Sequence, residues 1–335
     1  MSHGLIVEIR STAPRRAIGV NVRGGYLAPG FIDVHVWGDP RTVSRAAARH
    51  GTTAFLATVG PAPQRRLLEQ VAGLLEAQAL EGAQCLGVHL EGPFLNPARA
   101  GALPRRWMRP PTVAEVEALV RAGGTRLRLV TIAPELRGAL AAIRRLRAAG
   151  VAVSLGHSEA DPQTALRAVE AGARAVTHVF NGMPPFHHRR PSLLDVALTD
   201  PRLTAMVIAD GVHVSQPALR LLWRAKGSER VALVTDSIRH QPGTAMRRGG
   251  AYSTPRGVLA GSRLTMIRAV QQMVAAGGVS LIEAIRMATA VPATLLGLHR
   301  THGTLAVGKR ADLVAFDRHL RVLLTAVGGR LVYQR

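Results

Sequence analysis

The chain of 335 residues is long enough for a parallel barrel of about 250 residues plus a small accessory unit, and its 47% hydrophobic, 4% aromatic content is a soluble globular composition with a core of Ala, Val and Leu. No apolar run approaches the roughly 18 residues that span a bilayer, residues 1–10 alternate like a strand rather than a secretory signal, and the single Cys85 excludes a disulfide framework or a Cys-rich zinc site, so a cytoplasmic protein is expected. The formal charge of +22 is nearly all arginine, and pairs such as Arg15-Arg16, Arg65-Arg66, Arg105-Arg106, Arg189-Arg190 and Arg247-Arg248 are scattered along the chain, which reads as a solvated basic surface able to attract an anionic substrate rather than as a nucleic-acid stripe.

In chain order, residues 4–27 read as short alternating strands at 5–9 and 17–22, broken by Pro14 and by Gly24-Gly25. Eight apolar runs follow, at 31–36, 52–59, 85–90, 127–132, 151–156, 175–177, 205–209 and 231–235. Most are uninterrupted, the pattern of parallel strands buried on both faces. The segments between them, 64–78, 112–122, 137–149, 162–171 and 216–225, have helical length and spacing. Pro162 opens one of them, and Gly150 and Gly172 close two. Residues 280–296 supply closing helices, and 303–335 return to strand character at 311–316, 321–327 and 330–333, with a turn at Gly328-Gly329. The expected fold is α/β: a (β/α)8 TIM-type barrel over residues 29–300, with residues 1–28 and 301–335 pairing into a small β-sandwich domain. An open doubly wound sheet is the alternative.

The strand ends carry a series of polar residues: Asp33 and His35, His89 and Glu91, His157, His178, Asp210 and His213, and Asp236. Taken singly, each His reads rather as a satisfied strand-end residue, and Asp236 equally as a helix N-cap. Together they are hard to explain by packing, because a buried ionisable group requires a partner. A divalent cation is such a partner for Glu91, His157 and His178. Two imidazoles, a carboxylate and an open position are the donor set of a catalytic zinc site, where the cation acidifies a water. Asp236 ends the last apolar run and is placed in chain order to take a proton from that water and return it to a leaving group.

Several motifs carry a resemblance. They are Ala28-Pro-Gly-Phe-Ile-Asp-Val-His35, Val88-His-Leu-Glu-Gly-Pro-Phe-Leu-Asn96, Gly156-His-Ser158, Thr177-His-Val-Phe-Asn-Gly-Met183, Ile208-Ala-Asp-Gly-Val-His-Val214, Leu233-Val-Thr-Asp236, Leu259-Ala-Gly-Ser-Arg-Leu-Thr-Met266 and the closing Gly303-Thr-Leu-Ala-Val-Gly-Lys-Arg-Ala-Asp-Leu313. Over nearly the whole chain the sequence resembles the N-acetylglucosamine-6-phosphate deacetylases of the amidohydrolase superfamily.

The resemblance implies Glu91, His157 and His178 as metal ligands and Asp236 as catalytic acid and base. It implies Asn181 and Gly182 along the bound sugar, and His213 on the substrate, polarising the amide carbonyl. Leu259, Ala260 and Gly261 are expected to close over the acetyl group. Arg189 falls where the family binds phosphate, often in the neighbouring subunit's site, which implies a homodimer. Where the family often has an imidazole or another polar residue two positions after the first-strand His, this chain has Trp37, which cannot ligate a metal. One divalent cation per chain is therefore expected, zinc foremost and otherwise iron, cobalt or manganese, with His35 as the remnant of a second-metal position. Ala102-Leu103 stands where relatives carry a substrate-contacting His or Gln. The expected activity is metal-dependent deacetylation of a phosphorylated amino sugar, with no nucleic-acid or membrane partner. The alternatives are another amidohydrolase reaction on a different N-acyl or cyclic amide, or a non-catalytic barrel that keeps metal and ligand binding.

Overall fold

The computed structural model describes residues 3–12, 19–22, 24–73, 80–238, 244–246, 249–276 and 278–335. Pro14, Arg15-Arg16, the first two residues of the expected strand at 17–22, the last part of the expected helix at 64–78, and Arg247-Arg248 lie outside the described residues.

After β1 (Tyr26–Pro29), strand and helix alternate: β2 (Phe31–Val36), α1 (Pro40–Ala48), β3 (Thr52–Val59), α2 (Gln64–Gly73), β4 (Gln84–Glu91), α3 (Val113–Gly123), β5 (Leu127–Ile132), α4 (Ala139–Ala148), β6 (Ala152–Leu155), α5 (Pro162–Ala171), β7 (Ala175–Val176), α6 (Leu193–Thr199), β8 (Thr204–Ile208), α7 (Gln216–Lys226) and β9 (Val231–Val234). β2 to β9 pair in chain order and in parallel. The ends of β2 and β9 meet through a parallel bridge between Val36 and Ser237, with Trp37 N–H donating to Ser237 O at 2.9 Å and Asp236 N–H to His35 O at 2.9 Å. The sheet thus closes into the expected barrel, because eight strands buried on both faces leave no edge to solvent.

Buried apolar clusters hold it together. Ile32, Val34, Leu56, Leu129, Met206 and Val234 of the strands pack with one another and with Val291. Leu67, Leu119, Ile143, Leu146, Leu219 and Leu222 of the helices pack in a larger cluster with Val88, Leu90, Val130, Val153 and Val207 of the strands. Polar caps fix where the helices begin: Asp39 accepts from Arg41 N and Thr42 N at 3.1 Å, and Asp161 from Thr164 N at 2.7 Å.

Beyond the barrel come a small antiparallel sheet of β10 (Ala245–Met246), β11 (Ala251–Ser253) and β12 (Leu259–Ser262), then α8 (Met266–Ala275), α9 (Leu281–Ala288) and α10 (Ala290–Leu295). β13 (Leu313–Phe316), β14 (Val322–Val327) and β15 (Arg330–Gln334) join β1 in a four-stranded antiparallel sheet ordered β1-β13-β14-β15, so the two ends of the chain do pair. The alternation at 5–9 forms no such ladder. Among the described residues Leu5 bridges Arg310 alone, and around it Ile6 N–H donates to Lys309 O, Gly308 N–H to Ile6 O and Ala311 N–H to Gly4 O. The stretch facing it is turn rather than strand, so Ile6 is buried while Val7 and Ile9 remain exposed.

Candidate active site

Glu91 sits at the carboxyl end of β4, and His157 and His178 follow β6 and β7 directly. Their ligand atoms all lie within 4.8 Å of one another, and all three residues are buried. Glu91 Oε1 is 3.0 Å from His157 Nε2 and 2.8 Å from His178 Nε2, and the two Nε2 atoms are 3.2 Å apart. His157 Nδ1 is 2.7 Å from the carbonyl of Arg99. A carbonyl only accepts, so Nδ1 carries a proton; Nε2 then donates to Glu91 when the ring is protonated, and on the neutral ring it offers a cation its lone pair, the arrangement metal-ligating histidines use.

The electrostatics agree with the donor set. Burial alone would raise the pKa of Glu91, but the His35 charge and the hydrogen bonds from His157 and His178 hold it well below the usual carboxylate range. Burial opposes a charge on His157, yet its bond to Glu91 raises its pKa. His35 is likewise opposed by burial, and is pushed up to about 9 by the carboxylates of Glu91 and Asp236. The cluster demands positive charge, which a cation held by two imidazoles and a carboxylate supplies. His157, His178 and Asp236 have positive φ of 49°, 27° and 46°. Non-glycine residues in that region cost roughly 1–2 kcal/mol each and gather at functional sites.

The cluster forms part of the wall of a cavity of about 790 Å³ at the carboxyl ends of the barrel strands. Asn181, Gly182, His213, Leu259, Ala260 and Gly261 line it, as does Asp236. His213 Nδ1 lies 2.6 Å from Asp210 Oδ2, and Asp210 also accepts from the backbone N–H groups of Val212 and His213 at 2.8 and 2.7 Å. Burial pushes the Asp210 carboxyl up, but the bonds from His213 and these amides keep it below the usual range. As a carboxylate it accepts from Nδ1–H of His213, which leaves Nε2 for a ligand. Asp236 Oδ1 accepts from Trp37 Nε1 at 2.9 Å and faces His35 Nε2 at 3.4 Å.

Other strand-end residues do not join the cavity. Asp33 accepts from Thr235 Oγ1 at 2.5 Å and from the amides of His35 and Thr235. His89 Nε2 pairs with Thr131 Oγ1 at 2.8 Å in a buried hydroxyl chain through Thr177 to Ser154. Both hold the barrel interior together. Arg189 is exposed and does not line this cavity. Sequence reasoning missed Arg66, Arg106 and Trp107, which line the cavity although the pattern marks the arginines only as members of scattered pairs. It also missed Glu135, which accepts from Asn96, from Ser158 Oγ and from the Glu159 amide and braces the loop after His157. No motif points to it.

A closed parallel barrel with a His-His-carboxylate cluster at its catalytic face defines a metal-dependent hydrolase class, and residues 26–332 match the model of the amidohydrolase family. The chain belongs to that family. Within it, the chain belongs with the N-acetylglucosamine-6-phosphate deacetylases: that of Vibrio furnissii is 37% identical over 92% of this chain and 83% of the relative. An N-acetylgalactosamine-6-phosphate deacetylase of Escherichia coli is 38% identical over 91% of this chain and 87% of its own. Among solved structures, a Mycobacterium smegmatis N-acetylglucosamine-6-phosphate deacetylase variant in complex with N-acetylglucosamine 6-phosphate superposes with a TM-score of 0.90 at 34% identity, covering 100% of this chain and 94% of that one.

Proposed function

We propose that this protein hydrolyses the acetamide of an N-acetylated amino-sugar 6-phosphate, with N-acetylglucosamine 6-phosphate as substrate and glucosamine 6-phosphate and acetate as products. The observation that carries the reading is the convergence of Glu91, His157 and His178 on the same cavity as Asp236 and His213. The named relatives support the substrate class, and the galactosamine isomer is a second reading favoured by the Escherichia coli relative.

Glu91, His157 and His178 would hold one divalent cation. Zinc suits two imidazoles and a carboxylate best, and iron, cobalt and manganese accept the same donors. Bound there, the cation supplies Lewis acidity to the acetyl carbonyl and to the attacking water. His213, held by Asp210 through Nδ1–H, would donate from Nε2 to the carbonyl oxygen in its doubly protonated form as charge develops there. Asp236 accepts a proton from water as the new C–O bond forms, then delivers it to the amine nitrogen as the C–N bond breaks. Asn181 and Gly182 border the sugar, and Leu259, Ala260 and Gly261 the acetyl group.

Arg189, exposed on its own subunit, is suited to a phosphate in a neighbouring one, and this supports a homodimer. The closed barrel and the terminal sheet support a division into residues 29–300 and residues 1–28 with 301–335. Among the described residues no helix is long and apolar enough to cross a membrane, and a charged sugar phosphate as substrate supports a cytoplasmic location.

The test is a paired substitution. Asp236→Asn should abolish acetate release while metal content stays at the wild-type level. His178→Ala should lose both. Full activity of Asp236→Asn, or unchanged metal in His178→Ala, contradicts the assignment.

A further inference from the structure

We propose that Trp37 is a positioning residue, whose indole N–H holds the carboxylate of Asp236 in the orientation needed for proton transfer. The inference rests on the reading of Asp236 as acid and base in the proposed deacetylation. Trp37 follows β2 and Asp236 follows β9, 199 residues apart, and both line the cavity. Their backbones are tied at the barrel seam, where Asp236 N–H donates to His35 O and Trp37 N–H to Ser237 O, each at 2.9 Å. This seam fixes the two side chains relative to one another. Trp37 Nε1 is then 2.9 Å from Asp236 Oδ1, a well-formed hydrogen bond.

Three features argue that the contact is more than packing. The indole N–H only donates, so it orients the carboxylate without competing for the proton that Asp236 must carry. The second group near Asp236, His35 Nε2, approaches the same Oδ1 at 3.4 Å but is shared with Glu91 Oε2 at 3.2 Å, whereas among the described residues the indole bond is unshared. Both contacts fall on Oδ1, which leaves Oδ2 to take up and release the proton.

The seat of the ring is also specific. A Cβ added at Gly60 would lie 2.9 Å from Trp37 Cη2 and 3.2 Å from Cζ3, inside normal contact, so the glycine lets the indole lie where its N–H reaches Asp236.

The chain has three tryptophans, Trp37, Trp107 and Trp223, so 15N-tryptophan labelling gives three indole N–H resonances. The one missing from Trp37→Phe belongs to Trp37. In the metal-loaded wild type it should be the one protected from exchange through Asp236, and Asp236→Ala should shift it and speed its exchange.

In kinetics with N-acetylglucosamine 6-phosphate, Trp37→Phe should lower kcat about tenfold or more, the effect of losing a hydrogen bond to a charged group, with KM and metal content unchanged. Replacing Trp37 by benzothienylalanine, which keeps the ring shape without the N–H, should lower kcat equally. An indole resonance indifferent to Asp236→Ala, or a benzothienylalanine protein with wild-type kcat, overturns the proposal. A metal-loaded wild type that releases no acetate yet shows the indole response refutes the substrate reading and upholds the contact.

Discussion

Gly182→Ala tests whether the loop after β7 sets the geometry of the histidine cluster. Gly182 has φ of +65°, and its carbonyl accepts from Ser158 N–H at 3.0 Å, so the loop lies directly against the loop that carries His157. A Cβ there would sit 3.0 Å from His157 Nδ1 and 3.3 Å from Cε1. Ordinary contacts are about 3.5 Å or longer, so the ring must retreat by roughly 0.5 Å. His157 is pinned at both nitrogens, to Arg99 O at 2.7 Å and to Glu91 Oε1 at 3.0 Å, and a retreat of that size weakens one of the two. The left-handed backbone adds about 1–2 kcal/mol of strain for alanine. Disturbing the groups that orient a metal ligand weakens binding roughly 10–100-fold. A competition titration of zinc against a chromophoric chelator reads this directly, with thermal unfolding with and without zinc as a control. The expected result is weaker zinc binding with a Tm, measured without zinc, lowered by only a few degrees. Wild-type zinc affinity in Gly182→Ala would refute the argument that this glycine is required by the packing of His157.

Asp210→Asn keeps an oxygen for the Val212 and His213 amides but turns an NH2 donor toward His213 Nδ1, and should lower kcat/KM roughly tenfold or more with metal content unchanged, measured by steady-state kinetics. Arg189→Ala should raise KM for the phosphorylated sugar and leave turnover of the unphosphorylated sugar unaffected; mixing it with Asp236→Asn should restore a low-KM component if the arginine acts across a dimer. Asp33 gives a pH signature. Burial pushes its pKa from 3.8 up to about 6 against the pull of the Thr235 bonds, so the folded state holds the proton more tightly than the unfolded chain. Its contribution is therefore fully present below pH 4 and is lost as pH rises through 6, by about 3 kcal/mol in all. Denaturation from pH 4 to 7 should show this loss in the wild type and not in Asp33→Asn.

The barrel was legible because its strands are buried on both faces, so runs such as 52–59 and 127–132 stand out as unbroken apolar segments and recur as strands with those same bounds. The histidines and Asp236 were legible because they follow those runs directly. Depth along a strand was not. Asp33 and His89 belong to the same polar series as His35 and Glu91, but they meet hydroxyls of Thr235 and Thr131 inside the barrel, and no one-dimensional pattern separates those layers. Trp37 was visible only as a departure from a motif. Its bond to Asp236 spans the closure of the barrel and exists only once β2 meets β9. The alternation at 5–9 misled because a strand requires a partner ladder as well as its own pattern, and residues 303–310 offer turns.

In the proposed reaction one cation and Asp236 act on the acetamide of a phosphorylated amino sugar. Acetate release from N-acetylglucosamine 6-phosphate, with bound metal quantified in the same sample and the unphosphorylated sugar alongside, tests it most directly. Acetate should come from the phosphorylated sugar at about one metal per chain, as a single catalytic site requires, with far slower release without the phosphate. A protein that carries its metal and releases no acetate from either sugar would contradict it.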